Sequence, residues 1–238
     1  MTRHTSASAQ TVAFGGFGVM GKRRLKEAQE KYESGPLSTG QRTAIRNVLQ
    51  LTWKPLARLS PDVQKAWISG LHWCYGQHSE EISDEERAGL AIRSCSLAFE
   101  THLQETLFEP LRNGATPTEV SLLPERLQKL RTFLAGSKIS LWEMLDTIAQ
   151  ARPAISGTIK TLWAVLNKRS SRPSALQDRK YLEIPSIRNR NAHDCRPGVT
   201  GISMEEARHC IELCQEFLTI LETPPTSAPR PGQPVPGR

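Results

Sequence analysis

From Val63 to Leu221 apolar residues recur at spacings of three and four, the period of a helix that buries one face, and strand-like alternation is almost absent. Start and stop signals cut this pattern into segments. Ser60-Pro61-Asp62 supplies an N-cap, a first-turn proline and an acid near the positive helix end, and Val63, Trp67, Leu71 and Cys74 follow at helical spacing. That spacing makes Trp67 and His72 packing residues. Ser83-Asp84-Glu85-Glu86 is a capping box that opens the longest predicted helix, up to about Leu111, with Leu90, Leu97, Ala98, Leu107 and Phe108 on its apolar stripe. Asn113-Gly114 closes it. Thr116-Pro117-Thr118-Glu119 opens the next, whose buried face carries Leu122, Leu123, Leu127, Leu130, Phe133 and Leu134 before Gly136 stops it.

A shorter helix is predicted from Ile139 to Ala151, and another starts near Pro153 and runs to about Leu166. Asn167 to Pro173 reads as a basic turn. A helix from about Ser174 to Arg190 is kinked or divided by Pro185, which sets the residues after it on an irregular or restarted turn. Arg196-Pro197-Gly198 and Gly201 form a loop. A third capping box, Ser203-Met204-Glu205-Glu206, opens a last core-facing helix through Ala207, Cys210, Ile211, Cys214, Phe217, Leu218 and Leu221, ended by Pro224 and Pro225. Upstream, Lys22 to Tyr32 reads as a solvated helix and Ser38 to Leu59 as a second one bent at Pro55.

The expected fold class is therefore all-α, organised as a flexible tail over residues 1–20, a helical extension over 21–82, a helical bundle over 83–222 and a disordered proline-rich tail over 223–238. A chain of 238 residues can bury one sizeable core, and its 38% hydrophobic and 23% charged residues read as soluble. No apolar run approaches the ~20 residues of a membrane span. Met1 to Gln10 is polar and lacks the plan of a secretory signal, so a cytoplasmic location is expected. Five cysteines, an odd number lying mostly within helical patterns, read as reduced core thiols.

Gly16 to Lys22 satisfies the first seven positions of a phosphate-binding P-loop, but Arg23 stands where the magnesium-holding Ser or Thr belongs, and no strand precedes it. A glycine-rich flexible segment is the better reading. Cys195, His209, Cys210 and Cys214, with His193 nearby, form the one candidate metal cluster. Paired Cys-x-x-Cys spacing is missing, so no metal and no cofactor is expected.

Charge directs attention to one stretch. The chain carries a formal +7, and between Asn167 and Cys210 nine basic residues face five acidic ones. Such an excess favours a polyanionic partner. Within it, Ile184-Pro185-Ser186-Ile187-Arg188-Asn189-Arg190-Asn191-Ala192-His193-Asp194 concentrates one histidine, two arginines and two asparagines. Arginine offers a permanently charged fork suited to phosphate and histidine moves protons near neutral pH, so the two, converging across a fraying helix end, suit phosphodiester chemistry. The bland alternative pairs Arg188 with an acid such as Asp194 and leaves His193 as a cap.

The Arg-Asn-x-x-x-His arrangement of Arg188, Asn189 and His193, late in an all-helical chain and followed by one more amphipathic helix, resembles the signature of the HEPN superfamily. Leu97 to Leu111 resembles the long first core helix of some prokaryotic members, and the likeness covers roughly residues 83 to 222. The resemblance implies an antiparallel HEPN-like bundle and a metal-independent endoribonuclease of the toxin or antiviral-defence type. In it the ribose 2′-hydroxyl attacks the adjacent phosphorus, His193 transfers protons, Arg188 stabilises phosphoryl charge and Asn189 positions them. Arg190, Asn191, Arg196, Lys180 and Arg179 are the expected RNA-binding residues; Glu100, if it faces the bundle interior, is a candidate acid to orient Arg188, although a solvated or structural role is the first expectation for it. One histidine does not easily serve as both acid and base, so a homodimer is expected, with an antitoxin or defence-complex partner. The rival reading is a non-catalytic RNA-binding or partner-binding module; a helical DNA-binding regulator is weaker, for want of a recognition-helix unit.

Overall fold

A computed structural model of the chain describes residues 52–76, 82–121, 123–151, 157–193 and 201–225, with Gly40, Thr43, Arg46 and Asn47 at helical positions; the side chains of Arg126, Ala192 and His193 lie outside that description. The expected tail at 1–20, the Lys22 to Tyr32 helix, the glycine segment at Gly16 to Lys22, the start near Pro153, the Arg196 turn and residues 226–238 lie outside the described residues. Regular structure among the described residues is entirely helical, so the fold is all-α. No described helix is long and apolar enough to cross a membrane.

After a 3₁₀ turn at Lys54–Arg58 come α1 (Pro61–Tyr75) and α2 (Asp84–Leu103), then α3 (Glu109–Gly114), α4 (Pro117–Ser121), α5 (Gln128–Leu134), α6 (Leu141–Gln150), α7 (Thr158–Arg169), α8 (Glu183–His193) and α9 (Met204–Leu221). Local chemistry fixes several of the starts. Ser83, Ser140 and Ser203 each close a full capping box, with Glu86, Glu143 and Glu206 returning the bond to the cap backbone. Ser60 caps α1 with Pro61 in the first turn, although its side chain makes no cap hydrogen bond.

The most extensive helix pairing is α1 on α2, with α9 laid against both. Gly70 permits the first contact: a Cβ there would stand 2.3 Å from Cys95 Sγ and 3.1 Å from the Ala91 carbonyl oxygen, so α1 could not sit at this distance with a larger residue. Phe217 of α9 meets Phe99 of α2 edge-on at 5.3 Å and Tyr181 at 5.0 Å, and Trp53 stacks on fully buried Trp67 at 5.1 Å while its Nε1 donates to Thr219 Oγ1 at 2.8 Å. Residues on both sides of position 82 thus share one hydrophobic core.

Several element boundaries differ from expectation, each for a physical reason. The helix expected from Thr116 to Leu134 is broken at Pro124 into α4, a 3₁₀ turn (Glu125–Leu127) and α5, because proline there has no N–H to give and crowds the preceding turn. The long helix continues past Leu103 through a π-helical turn at Gln104–Phe108, in which the Glu109 N–H bonds back to the Gln104 carbonyl. Pro110 follows directly, and a widened turn tolerates the carbonyl that proline leaves without its usual donor. Lys168 and Arg169, expected in a turn, instead form the last turn of α7, where their charge complements the negative helix end. The segment expected to run from Ser174 to Arg190 is two 3₁₀ turns, Pro173–Gln177 and Arg179–Leu182, followed by α8. Pro185 falls in the first turn of α8 and neither kinks nor divides it.

Candidate functional site

Helix α8 carries the arginine-rich stretch and packs on α2, α9 and α6. Ile184 and Ile187 are buried. Arg188 and Asn191 continue their i, i+3, i+4, i+7 series, and both are partly buried. That register turns Arg188 toward the middle of α2, where Glu100 is only 2% exposed. Nη1 of Arg188 donates to Oε2 of Glu100 at 2.6 Å, and the arginine side chain keeps 17% of its surface in solvent. Its described partner is thus Glu100; Asp194 lies outside the described residues. One turn further, Asn191 Nδ2 donates to the Gly89 carbonyl at 3.1 Å, and a Cβ on Gly89 would come within 3.0 Å of its side chain. These two contacts, on either side of one turn, tie α8 to α2.

Asn189 and Arg190 are exposed, as is Ser186. Position 193, the last of α8, follows these three at helical intervals of seven, four and three, and so belongs to the outer face of the helix. Five residues of uninterrupted α-helix separate two positions by about 140° around the axis and ~7.5 Å along it. Helix α8 runs through both positions, and the expected convergence of the two side chains turns on a side chain outside the described residues. The His193 side chain and Arg196 lie outside the described residues.

The remaining expected RNA-binding residues divide. Arg179 is exposed. Arg190 pairs with Glu206 at 2.8 Å, and Lys180 sits astride Glu216 at 2.8 and 2.9 Å, which raises the lysine's pKa. Such exposed pairs are worth little and are easily exchanged for a phosphate. His209, drawn into the candidate metal cluster from sequence, instead meets Glu183 at 2.9 Å on the surface. Cys74, Cys95, Cys210 and Cys214 are buried free thiols, and burial drives those of Cys95 and Cys214 well above their ordinary value, so they are packing groups rather than nucleophiles. Among the described residues no group of three or more His, Cys, Asp or Glu could hold a metal ion.

A second buried carboxylate was not anticipated. Glu222, just past the end of α9, is 4% exposed, and its Oε1 receives His102 Nε2 at 2.9 Å and Arg169 Nη2, while Oε2 lies 3.9 Å from Arg58. Burial pushes its carboxyl up, but the hydrogen bonds from His102 and Arg169 outweigh this and hold it below the ordinary value. The signal was available in sequence: Ile211, Cys214, Leu218 and Glu222 run at three- and four-residue intervals, which puts 222 on the buried stripe, and His102 follows Cys95, Ala98 and Phe99 in the same way.

No family model, no curated protein and no solved structure matches the chain.

Proposed function

We propose that the chain is a metal-independent endoribonuclease of the toxin or antiviral-defence type, with Arg188 and His193 as its reactive pair and a homodimer as its working form. One observation carries the reading: the arginine of the Arg-Asn-x-x-x-His stretch is held by a buried carboxylate, Glu100, at 2.6 Å, with part of its side chain still open to solvent. An arginine whose position is fixed from behind stabilises phosphoryl charge better than one that must be ordered by substrate. The basic excess around it supports an RNA partner.

In the reaction a ribose 2′-hydroxyl forms a bond to the adjacent phosphorus while the bond from phosphorus to the 5′-oxygen breaks. The hydroxyl proton leaves to one base, and the departing 5′-oxygen receives a proton from one acid, yielding a 2′,3′-cyclic phosphate. The outer-face register of position 193 suits a composite site, in which α8 of one copy faces α8 of another and two imidazoles divide the acid and base roles. Asn189 and Arg190, on the same face, would touch the phosphate backbone.

The test is cleavage of a mixed RNA in chelator by the wild-type chain and by His193→Ala, Asn189→Ala and Arg188→Lys. Loss of cleavage by at least a hundredfold in His193→Ala, with cyclic phosphate ends in the wild-type products and DNA left intact, supports the reading; RNA left whole by the wild-type dimer overturns it. The alternative is a non-catalytic RNA-binding or partner-binding subunit, for which RNA bound but left whole by the wild-type chain would speak.

A further inference from the structure

A pocket of about 610 Å³ is lined by Arg58, Val165, Lys168, Arg169, Glu222 and Pro224. Three cations thus surround one acid. That acid is satisfied within the wall: Glu222 is taken by His102 and Arg169 on one oxygen and approached by Arg58 on the other. Positive charge is left over. Lys168 makes no ion pair among the described residues, the Arg58 side chain is 46% exposed, and the buried Arg169 Nε–H has no acceptor among them. The surplus is not an accident of a flexible surface, because Arg169 is fixed in the last turn of α7 and Glu222 is anchored by a buried histidine of α2.

We propose that this pocket binds a small polyanion carrying two or more phosphates. Two guanidinium forks and an ammonium match several phosphate oxygens, which accept charge-assisted and bidentate hydrogen bonds better than any neutral group does. The volume falls in the range of sites for compact small molecules, and is larger than one orthophosphate requires. Val165 and Pro224 supply an apolar wall for the remainder of the ligand. The inference is independent of whether Arg188 and His193 cleave RNA, since it uses none of the residues of α8.

Titration calorimetry on the full chain at low salt, with inorganic pyrophosphate as the probe and orthophosphate and a short single-stranded RNA as comparators, tests it. The expected result is saturable one-to-one binding of pyrophosphate, at least tenfold tighter than orthophosphate. Lys168→Ala and Arg58→Ala each weaken it about tenfold, one lost charge-assisted contact apiece, while Lys180→Ala leaves it unchanged. Circular dichroism of the same samples checks that both variants are folded; Lys168, with no described partner, is the one whose loss perturbs the fold least. Absence of pyrophosphate binding at millimolar concentration overturns the proposal, as does binding that survives both substitutions. Tight RNA binding lost in the same two variants, without any for pyrophosphate, would also overturn it and make the pocket part of a polymer track.

Discussion

Two carboxylates are buried among the described residues, Glu100 and Glu222, and they are neutralised in different ways. Glu100 meets the guanidinium of Arg188, brought by a helix that also packs apolar residues on α2. Glu222 meets three cationic or ionisable side chains from three different elements: Arg58 from the first 3₁₀ turn, His102 from α2 and Arg169 from α7. Removing a charged partner from a buried carboxylate is costly, since the place is poorly solvated. Where several cations meet one acid, as at Glu222, some positive charge is left for other work. Helix α2 holds the first acid and the anchor of the second two residues apart, so both arrangements rest on one rigid element.

The largest effect expected from this contrast is at Arg188. Arg188→Ala should destabilise the fold by about 3 kcal/mol, because buried Glu100 loses the guanidinium that meets it at 2.6 Å, and chemical denaturation of the purified variant measures it. Adding Glu100→Gln should recover much of that loss; a double variant no more stable than Arg188→Ala would mean that the pair is not what holds α8. At the other acid, Arg169→Ala should cost about 1–2 kcal/mol, since the carboxylate loses its charged donor but keeps His102. Arg58→Ala, at 3.9 Å and half in solvent, should cost less than about 0.5 kcal/mol by the same measurement.

Acid sharpens the comparison further. The Glu222 carboxyl lies below its ordinary value of 4.5 in the folded chain, so the fold favours its ionised form. Its contribution to stability is therefore complete above that ordinary value and is lost as pH falls through the lower, folded one. Wild type should exceed Glu222→Gln in Tm at pH 6, and the gap should close on descent below pH 4.5; a gap that stays constant to pH 3 would contradict the assignment. A smaller effect than at Arg188 is expected at Asn191→Ala, about 1 kcal/mol for the side-chain bond it gives the Gly89 carbonyl. Thermal melts at neutral pH measure it against Asn189→Ala, whose exposed side chain should cost nothing detectable.

Much of the fold was readable from residues that act locally. Ser83, Thr116 and Ser203 announce helix starts because a cap and its Glu lie within four positions, and the same signature at Ser140 and Glu143 was there to be read. Gly136, at φ 104°, stops α5 as a left-handed residue should. The π-turn at Gln104–Phe108 was not legible, since one proline two residues beyond it is equally consistent with a kink or a stop, and neighbouring helices decide between them. In the candidate site the motif residues could be named from sequence, and Glu100 could be proposed as their acid, but not the register of α8. Whether Pro185 begins or breaks a helix decides which face carries Arg188, and that depends on Ile184 and Ile187 finding a core to enter. Glu222 was overlooked because an acid at the end of an apolar stripe reads as solvent-facing until its partners arrive from distant parts of the chain.

The wide turn at 104–108 has a mechanical consequence. Upstream of it the long helix answers to α1, α8 and α9; downstream, α3 and the turn itself answer to α5 and α7, with Phe108 against Phe133 and the Arg112 guanidinium over the same ring. A loop of backbone that takes in one residue more than its neighbours acts as a coupling joint, letting each half keep its own phase. The rod is continuous, yet slippage on one side need not be transmitted to the other.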